Sequence, residues 1–380
     1  MVEVDFPVDE FEARTARAQE KMHARGIDAL FFTTEAEVRY FTGFRTLFWQ
    51  SPTRPWFLIV PTRGMPVAVI PQIGADLMRA CWIDDIRTFA APHPTDDGIA
   101  LLADALKDYG RIGMPMGRES TLRMPLRDLE ALRGRLRATE FVDASDLVQQ
   151  LRMVKSEREI GLLREICGIG SQSFANAGNL FARGQTLKEV FRAFRIDLLA
   201  RGADDVPYLV GGAGRGGYGN VISPPSDRVL AEGDVLMLDT GATKNGYFCD
   251  FDRNFAIGPA GESVTRAHEK LVHAVTAAAQ VARPGRTCAD LFKAMTATLG
   301  QGEGDIGRLG HGLGMQLTEP PSITSFDRTV LRDGMVLTLE PSISLGDGKM
   351  MVHEENIVVR DGAPQFLTVP ASPEIPVIGG

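Results

Sequence analysis

The sequence predicts an α/β (α+β) fold in two domains, and three observations support this prediction. The chain has 380 residues, whereas a typical domain has about 150. Helix-like and strand-like segments alternate through the first third of the chain. A helix start signal then opens a second region, in which glycine turns separate strand-rich stretches. We therefore expect one domain over residues 1–150 and another over residues 151–380.

The first domain is predicted to combine helices with short strands. Residues 11–25 are expected to form a helix that Gly26 ends. A second helix is expected over residues 99–109. Three short apolar runs bounded by Pro, Gly or Thr are expected to be strands: 29–32, 56–60 and 67–70. This alternation predicts a self-contained α/β domain that ends near residues 143–151.

The second domain begins with a capping box. Ser156 can cap a helix N-terminus while Glu159 reaches back to the backbone N–H of Ser156. Apolar residues follow at helical spacing. Two more helices are expected over residues 263–282 and 287–299, with strands and glycine turns between and after them.

Composition excludes several classes of function. The chain has 41 Lys and Arg against 49 Asp and Glu, a net charge of −8, which argues against nucleic acid or an anionic membrane surface as the main partner. No apolar run reaches the roughly 18 residues that span a bilayer, and the N-terminus lacks the apolar stretch of a secretory signal. Four scattered cysteines fit a reduced, cytoplasmic protein in which they serve packing.

The first of two predicted hairpins carries three aspartates. Asn245-Gly246 is a strong signal for a type I′ turn. With this two-residue loop, Asp239 and Asp250 project from one face as diagonal neighbours, and Asp252 lies opposite Asp239. A loop one residue longer would change these facing positions.

The second predicted hairpin carries two glutamates on one face. A three-residue turn over 346–348 would set Leu345 against Lys349, and therefore Glu340 against Glu354. Strand alternation would then send His353 and Glu355 to the opposite face.

These carboxylates indicate a cation site. A single Asp or Glu is better explained as a solvent-facing residue of a half-exposed strand. A same-face pair in each of two hairpins is different, because four carboxylates in apolar surroundings cannot all ionise without large penalties. Multivalent cations would neutralise them. His311, flanked by glycines and lying between the hairpins, is a plausible fifth ligand.

This pattern resembles the ordered ligands of the pita-bread metallopeptidases, which include methionine aminopeptidase, aminopeptidase P, prolidase and, as a relative, creatinase. The resemblance extends over about residues 155–365. Residues 39–44 look like part of the N-terminal domain of the creatinase/prolidase branch. The resemblance thus implies a creatinase-like α/β domain followed by a pita-bread domain. The matching residues are Asp239, Asp250 eleven residues on, His311 in GHGLG, Glu340 in LTLEPS and Glu354 in VHEEN.

The resemblance implies a dinuclear metal-dependent hydrolase. Asp239 and Asp250 would hold one divalent ion, and Asp250, His311, Glu340 and Glu354 the other, with Asp250 and Glu354 bridging. This oxygen-rich set suits Mn²⁺, Fe²⁺, Co²⁺ or Zn²⁺. A metal-bridging hydroxide would cleave an amide bond in a short peptide or small molecule, with Glu340 as candidate proton shuttle and His311 as the other candidate catalytic residue. Glu355 is the alternative to Glu354, and a homodimer is expected.

The substrate-contacting residues of the family are replaced in this chain. The two family histidines fall on Ile222 and Thr318, the Arg before the last Glu falls on Val352, and a Tyr falls on Ser344. These changes leave two alternatives open on the same scaffold: an amidine hydrolase like creatinase, or a lyase such as dimethylsulfoniopropionate lyase. A non-catalytic binding protein is a third alternative, although no ligand has been lost.

Several residues are candidates for the vacated substrate contacts. Asp252, where the family usually has Thr or Ser, is expected to support the ligands from behind. The segment 212–217 satisfies GxGxxG, but residues 220–225 contain two prolines and begin no helix, so dinucleotide binding is rejected. The candidate substrate contacts are Tyr208, Arg215, Tyr218, Asn220 and Thr318.

Overall fold

The computed structural model describes residues 5–301 and 307–379. The chain divides after Arg152 into two compact units. Both units combine helices and strands, so the predicted α/β (α+β) class is confirmed. No helix in the described ranges has both the length and the apolar character that crossing a membrane requires.

The first unit is built on one six-stranded mixed sheet with the order β4-β3-β2-β1-β5-β6. β1 pairs antiparallel with β2 and parallel with β5. Gly26 adopts φ 61° after the first helix, a left-handed conformation that glycine adopts without strain. The strands are β1 (Ala29–Phe32), β2 (Phe57–Pro61), β3 (Val67–Pro71), β4 (Asp85–Phe89), β5 (Arg111–Met114) and β6 (Glu140–Asp143). The helices are α1 (Val8–Arg25), α2 (Glu35–Thr42), α3 (Ala75–Arg79), α4 (Ile99–Leu106), α5 (Leu126–Arg135) and α6 (Ser145–Met153).

The second unit contains two larger sheets and one separate hairpin. One sheet has the order β18-β10-β8-β7 with β9 paired to β8, the other has the order β12-β11-β13-β16-β17, and β14 pairs with β15. The strands are β7 (Asp205–Arg215), β8 (Asp234–Lys244), β9 (Tyr247–Phe248), β10 (Phe251–Ile257), β11 (His311–Gly312), β12 (Glu319–Ser322), β13 (Val336–Leu339), β14 (Ser342–Gly346), β15 (Lys349–Val352), β16 (Glu355–Val358), β17 (Gln365–Phe366) and β18 (Val377–Ile378).

Three helices of the second unit begin at a capping box. Ser156 and Glu159 form the expected capping box. Thr186 and Thr287 begin two further helices in the same way, with acidic partners three residues on. The helices are α7 (Glu157–Ala175), α8 (Ala177–Leu180), α9 (Leu187–Ala200), α10 (Glu262–Val281) and α11 (Cys288–Leu299).

Apolar packing holds these helices against the sheets. The rings of Phe174 on α7 and Phe194 on α9 lie 4.5 Å apart, and Phe174 also contacts Phe251 on β10 at 5.2 Å between ring centroids. Another core contains fully buried residues of α10, α11, β13 and β16. Burial of this kind contributes about 25 cal/mol per Å² of apolar surface, so the strands that carry the polar site are anchored on a rigid apolar support.

The first predicted hairpin has the predicted register. Asn245 and Gly246 have φ of 45° and 67°, as a type I′ turn requires. Lys244 pairs with Tyr247. Asp252 lies directly opposite Asp239, so the loop is the two-residue one.

The turn of the second hairpin was predicted incorrectly. Gly346, not Leu345, pairs with Lys349, and the register shifts between Ser344 and Gly346. A two-residue turn with φ of 50° at Asp347 and 69° at Gly348 closes the hairpin, and Leu345 is the extra residue of a bulge.

The rest of this hairpin keeps the expected register. Ser342 pairs with Val352 and Leu339 pairs with Glu355. These pairs bracket Glu340 and Glu354, which therefore occupy facing positions. The bulge at Leu345 restores the predicted register, so the incorrect turn does not change the pairing of Glu340 with Glu354.

Candidate metal centre

Five side chains from two sheets converge on one cavity in the second unit. Asp239 lies in the middle of β8 and Asp250 directly precedes β10, whereas the other three lie on β11, directly after β13 and directly before β16. The cavity has a volume of about 200 Å³, below the roughly 300–1,000 Å³ of pockets for drug-sized ligands. All five predicted ligands line it: Asp239, Asp250, His311, Glu340 and Glu354.

Three of these residues form a compact group of potential metal ligands. One ligand atom from each of Asp250, His311 and Glu354 lies within 4.8 Å of the others, and all three residues are buried. Nε2 of His311 lies 3.3 Å from Oδ2 of Asp250 and 3.9 Å from Oε2 of Glu340. One imidazole among several carboxylates is a donor set that divalent first-row metals accept.

The backbone around His311 fixes the direction of its ring. Nδ1 lies 2.8 Å from the carbonyl oxygen of Gly312. A carbonyl can only accept, so Nδ1 carries a proton, and the neutral tautomer presents the Nε2 lone pair to the carboxylates. A Cβ at Gly310 would lie 2.3 Å from the carbonyl oxygen of Thr338, and one at Gly312 would lie 2.2 Å from that of Pro320. The glycines let the backbone bring the ring to the site.

Asn356 holds the backbone of Asp250 in place, a role that no motif in the sequence predicts. Its Oδ1 accepts the Asp250 N–H at 3.1 Å, and its Nδ2 donates to the Asp250 carbonyl. The thiol of Cys167 donates to the same Oδ1 at 3.2 Å. Paired donor and acceptor contacts of this kind fix the position of Asp250 before any ligand binds.

The electrostatics of the cavity favour the binding of cations. Burial, followed by the charge of neighbouring carboxylates, raises the pKa of Asp239 and Glu354 well above their ordinary values. Burial also raises the pKa of Asp250, against the opposing effect of Arg308. The pKa of Glu340 is raised by burial as well, although His311 opposes the shift. Divalent cations would stabilise the ionised forms that burial disfavours.

Unpartnered oxygens point to the same conclusion. Oδ1 of Asp239, Oε1 of Glu354 and Oδ2 of Asp252 are buried without a hydrogen-bond partner in the described residues. A buried polar atom without a partner costs free energy. Hard oxygen donors left in this state beside the His311 imidazole fit divalent metal ions.

Asp252 lies directly behind the predicted ligands. Its Oδ1 accepts the backbone N–H of Glu354 at 2.6 Å and lies 3.6 Å from Nδ1 of His353. The side chain is 1% exposed, and Asp252 faces Asp239 across the ladder. This arrangement agrees with the expected supporting role.

Glu355 has other partners. It pairs with Arg253 at 2.9 Å, and it accepts hydrogen bonds from the Thr368 hydroxyl and from the Ala371 N–H. Burial alone would raise its pKa, but Arg253 and His353 hold it at about 2. Glu354, which lies with Asp250 in the cavity, is therefore the better candidate ligand.

The structure brings only two of the five candidate substrate contacts to the cavity. Tyr208 and Thr318 line it, and the Tyr208 side chain opposes the rise that burial causes in the pKa of Asp239. The other three, Arg215, Tyr218 and Asn220, are not among the lining residues.

Each of those three has a local structural role instead. Tyr218 is buried and bonds to Asn254 and to the backbone of Val352. Arg215 donates to the Glu232 carbonyl. Asn220 accepts the backbone N–H of Ile222 in its own loop. These three residues lie in or beside the glycine-rich stretch, but the fold does not bring their side chains to the cavity.

Three of the four replaced family positions line the cavity: Ile222, Thr318 and Val352. Ser344, the fourth, lies in the β14–β15 hairpin. Ile222 is 71% exposed, so it forms part of the rim. The cavity therefore has a floor of carboxylates, and Ile222 and Val352 place apolar side chains where the family has polar ones.

Arg308 is a lining residue that the sequence interpretation missed. Its Nε lies 3.7 Å from Oε1 of Glu340, and its Nη2 donates a long 3.4 Å hydrogen bond to Oγ1 of Thr318. Its position three residues before His311 is the one signal in the sequence that could have drawn attention to it.

Two family models match the chain. One, for metallopeptidase family M24, matches residues 161–361, more than half of the chain. The other, for the creatinase/prolidase N-terminal domain, matches residues 14–154.

Relatives match almost the full length. A probable dipeptidase PepE of Mycobacterium tuberculosis is 28% identical over 374 residues, covering 94% of each chain. An Xaa-Pro dipeptidase of Pyrococcus horikoshii is 28% identical over 362 residues, covering 94% of this chain and 97% of the relative. The crystal structure of dipeptidase PepE from Mycobacterium ulcerans matches with a TM-score of 0.84 and 26% identity, covering 98% of this chain and 99% of that one.

Proposed function

Since the chain belongs to metallopeptidase family M24 and is a metal-dependent hydrolase, we propose that it binds two divalent cations and uses them to cleave an amide bond in a short peptide. The observation that carries the proposal is the buried group of Asp250, His311 and Glu354, with Asp239 and Glu340 lining the same cavity. The relatives support a peptidase over an amidine hydrolase, a lyase or a non-catalytic protein.

The proposed ligands come from both sheets, and the two ligand sets share Asp250. Asp239 and Asp250 would hold one cation, and Asp250, His311, Glu340 and Glu354 would hold the other, with Asp250 and Glu354 shared between the two. Four carboxylates balance the charge of two divalent ions, which supports two rather than one. Mn²⁺, Fe²⁺, Co²⁺ and Zn²⁺ all suit these donors, and elemental analysis of the purified protein will identify the native ion.

The proposed chemistry divides between the cations and the side chains. When bound, the cations lower the pKa of water and polarise the carbonyl under attack. Glu340 accepts the proton of the attacking water on a carboxylate oxygen and delivers it to the leaving nitrogen.

The proposed substrate is a short peptide, because the cavity volume of about 200 Å³ suits a small ligand. The P. horikoshii relative is named for Xaa-Pro dipeptides, so we propose these first. Ile222 and Thr318 stand where the family has histidines, so the substrate panel includes dipeptides with and without proline.

A metal-depletion experiment tests the proposal. The protein is stripped with chelator, checked by elemental analysis, and reconstituted separately with Mn²⁺, Co²⁺ or Zn²⁺. Hydrolysis of a panel of Xaa-Pro and Xaa-non-Pro dipeptides should disappear on stripping and return on reconstitution. Undiminished turnover by verified metal-free protein would refute the metal mechanism, and metal binding without turnover of any peptide would refute the substrate class.

We also propose a homodimer in the cytoplasm. The four cysteines are free, as is usual in reducing compartments. Light scattering coupled to gel filtration distinguishes a dimer of 41.4 kDa chains from a monomer.

A further inference from the structure

Glu354 lies in a short link between two strands of different sheets. β15 ends at Val352 and β16 begins at Glu355, so Glu354 belongs to neither ladder. A backbone segment outside a ladder needs other partners for its N–H and C=O groups. Asp252 accepts the N–H of Glu354. The backbone of Val352, two residues earlier, is held by side chains that the proposed hydrolysis does not use.

The glycine-rich stretch 211–219 pairs with β15 at one position. Tyr218 and Met350 exchange two backbone hydrogen bonds, of 3.2 Å and 2.8 Å. Gly217, the residue before Tyr218, has φ of 119°, and a Cβ there would lie 3.1 Å from the carbonyl oxygen of Met350. A residue with a side chain would be strained in this conformation. Gly217 thus lets the stretch approach β15 closely enough to place Tyr218 beside it.

Two residues further along β15, the side chain of Tyr218 replaces its backbone as the partner. Alternate residues of a strand direct their N–H and C=O groups to the same side, so Val352 faces the same side as Met350. The N–H of Val352 donates to the Tyr218 hydroxyl at 2.7 Å. The hydroxyl in turn donates to Oδ1 of Asn254 at 3.0 Å.

Asn254 closes this ring of hydrogen bonds. Its Nδ2 donates to the Val352 carbonyl oxygen at 2.6 Å, so the N–H and the C=O of Val352 both have partners. The Asn254 amide cannot turn over without losing its contacts to Tyr218 and Val352. Burial raises the pKa of Tyr218 well above its ordinary value, so the hydroxyl keeps the proton that it donates. Tyr218 and Asn254 are each 1% exposed.

Asn254 also joins this ring to the strand that follows a candidate ligand. Asn254 and Asp252 are two residues apart on β10 and therefore project from the same face. Asp252 holds the N–H of Glu354, and Asn254 holds the carbonyl of Val352. One face of β10 thus contacts the link at two points, and Asp250 directly precedes the same strand.

We propose that Tyr218 and Asn254 are positioning residues that set Glu354 at the distance from Asp250 that a shared cation requires. The inference rests on the proposed function, because Glu354 is a ligand of the proposed metal centre. Distances between a metal and its ligands vary by only about 0.2 Å, so a small shift of the link weakens binding. Without the Tyr218 hydroxyl, the N–H of Val352 is buried without an acceptor, and the link relaxes away from the geometry that the cation needs.

The test compares Zn²⁺ affinity in variants that lose one buried group. Metal-stripped protein is titrated with Zn²⁺ in competition with a chromophoric chelator, and circular dichroism checks that each stripped variant is folded. Tyr218→Phe removes a single oxygen atom. It should bind Zn²⁺ roughly 10- to 100-fold more weakly than the wild-type protein, as is usual when a residue that orients a metal ligand is lost. Asn254→Ala should show a loss of similar size.

Tyr40→Phe is the matched control. Tyr40 is also 1% exposed, and its hydroxyl accepts a hydrogen bond from Arg17 at 3.3 Å and donates one to the Leu151 carbonyl at 3.1 Å. This variant loses equivalent contacts in the first unit, and it should keep the wild-type affinity for Zn²⁺.

A double variant tests whether the two positioning residues act together. Tyr218→Phe combined with Asn254→Ala should lose less affinity than the product of the two single losses, because residues in one hydrogen-bond network are not additive. If Tyr218→Phe does not fold, the comparison of Asn254→Ala with Tyr40→Phe decides the question.

Three outcomes would overturn the inference: wild-type affinity in Tyr218→Phe, an equal loss in Tyr40→Phe, or losses that multiply in the double variant. Failure of the proposed function gives a different result. A wild-type enzyme that binds Zn²⁺ but hydrolyses no peptide would refute the proposed activity and leave the affinity comparison intact. A wild-type protein that binds no divalent cation would refute the proposed function and the inference together.

Discussion

The backbone N–H of Glu354 donates a 2.6 Å hydrogen bond to Oδ1 of Asp252. Asp252 also faces Asp239 across the β8–β10 ladder. A single buried carboxylate thus orients one candidate ligand through its backbone and lies beside another. It links two sheets at the point where the ligands meet.

Replacing Asp252 should weaken metal binding without removing any proposed ligand. Asp252→Leu loses the acceptor for the Glu354 N–H, and we expect metal affinity to fall roughly 10- to 100-fold, as for other residues that orient ligands. Asp252→Asn keeps an oxygen acceptor and should lose less. Competition with a chromophoric chelator measures both, and a Leu variant with wild-type affinity would contradict the supporting role.

Removing Asp250 should abolish both metal loading and catalysis. We expect Asp250→Ala to lose at least one equivalent of metal by elemental analysis. Activity should fall by about 10³-fold or more, because groups that act as a unit fail together. Asp227→Ala removes an exposed carboxylate paired with Lys188 and should change neither measurement. Full activity in Asp250→Ala would contradict the site assignment.

Stability should depend on pH differently in metal-free and metal-loaded protein. In the metal-free protein, burial raises the pKa of Asp239, Asp250 and Glu354 above their ordinary values of 3.8 and 4.5. The native state then binds more protons than the unfolded state, so its free energy of unfolding falls as pH rises above about 4.5 towards the folded pKa values.

Cations that replace those protons should remove this loss. We expect the difference in Tm between metal-loaded and metal-free protein to widen from pH 5 to pH 8, as measured by differential scanning calorimetry. Metal-free Asp250→Asn, with one carboxyl fewer to ionise, should show a shallower decline. A Tm difference that stays constant over this range would contradict the proposed link between protons and metal.

The glycines beside His311 should resist substitution. Gly310 has φ of 146°, and a Cβ there would lie 2.3 Å from the Thr338 carbonyl oxygen. Gly310→Ala is therefore expected to cost about 1–3 kcal/mol of stability from backbone strain alone, and to reduce metal content by displacing His311.

Urea unfolding and elemental analysis check this expectation. Gly168→Ala is the matched control, because Gly168 lies within α7 and a Cβ there meets no other atom within 4 Å. This variant should gain roughly 0.5–1 kcal/mol. Equal stability of the two variants would show that close backbone approach at His311 is not required.

Local signals in the sequence were enough to predict the first hairpin and the grouping of the ligands. Asn245-Gly246 specifies both turn type and register, so Asp239 and Asp252 could be paired correctly. The second turn, Gly-Asp-Gly, is compatible with more than one loop length, and the bulge at Leu345 depends on contacts that no local pattern encodes.

Residues with distant partners could not be predicted in this way. Arg308 belongs to the site because it meets Glu340 and Thr318, which lie on separate segments. Asn356 matters through Asp250, 106 residues away. Tyr218 looked available in a glycine-rich stretch, but its ring fills a buried position, and burial is decided by the tertiary fold.

The origin of the ligands on two different sheets has a consequence for the lifetime of the protein. Asp239 and Asp250 belong to the sheet containing β8 and β10, whereas His311 and the two glutamates lie on or beside the sheet containing β11, β13 and β16. Cations held by both sets would cross-link the sheets as a covalent bridge would. Loss of the cations would then lower the free energy of unfolding as well as the activity. Metal-free chains would unfold more often, and proteases would degrade them faster than metal-loaded chains.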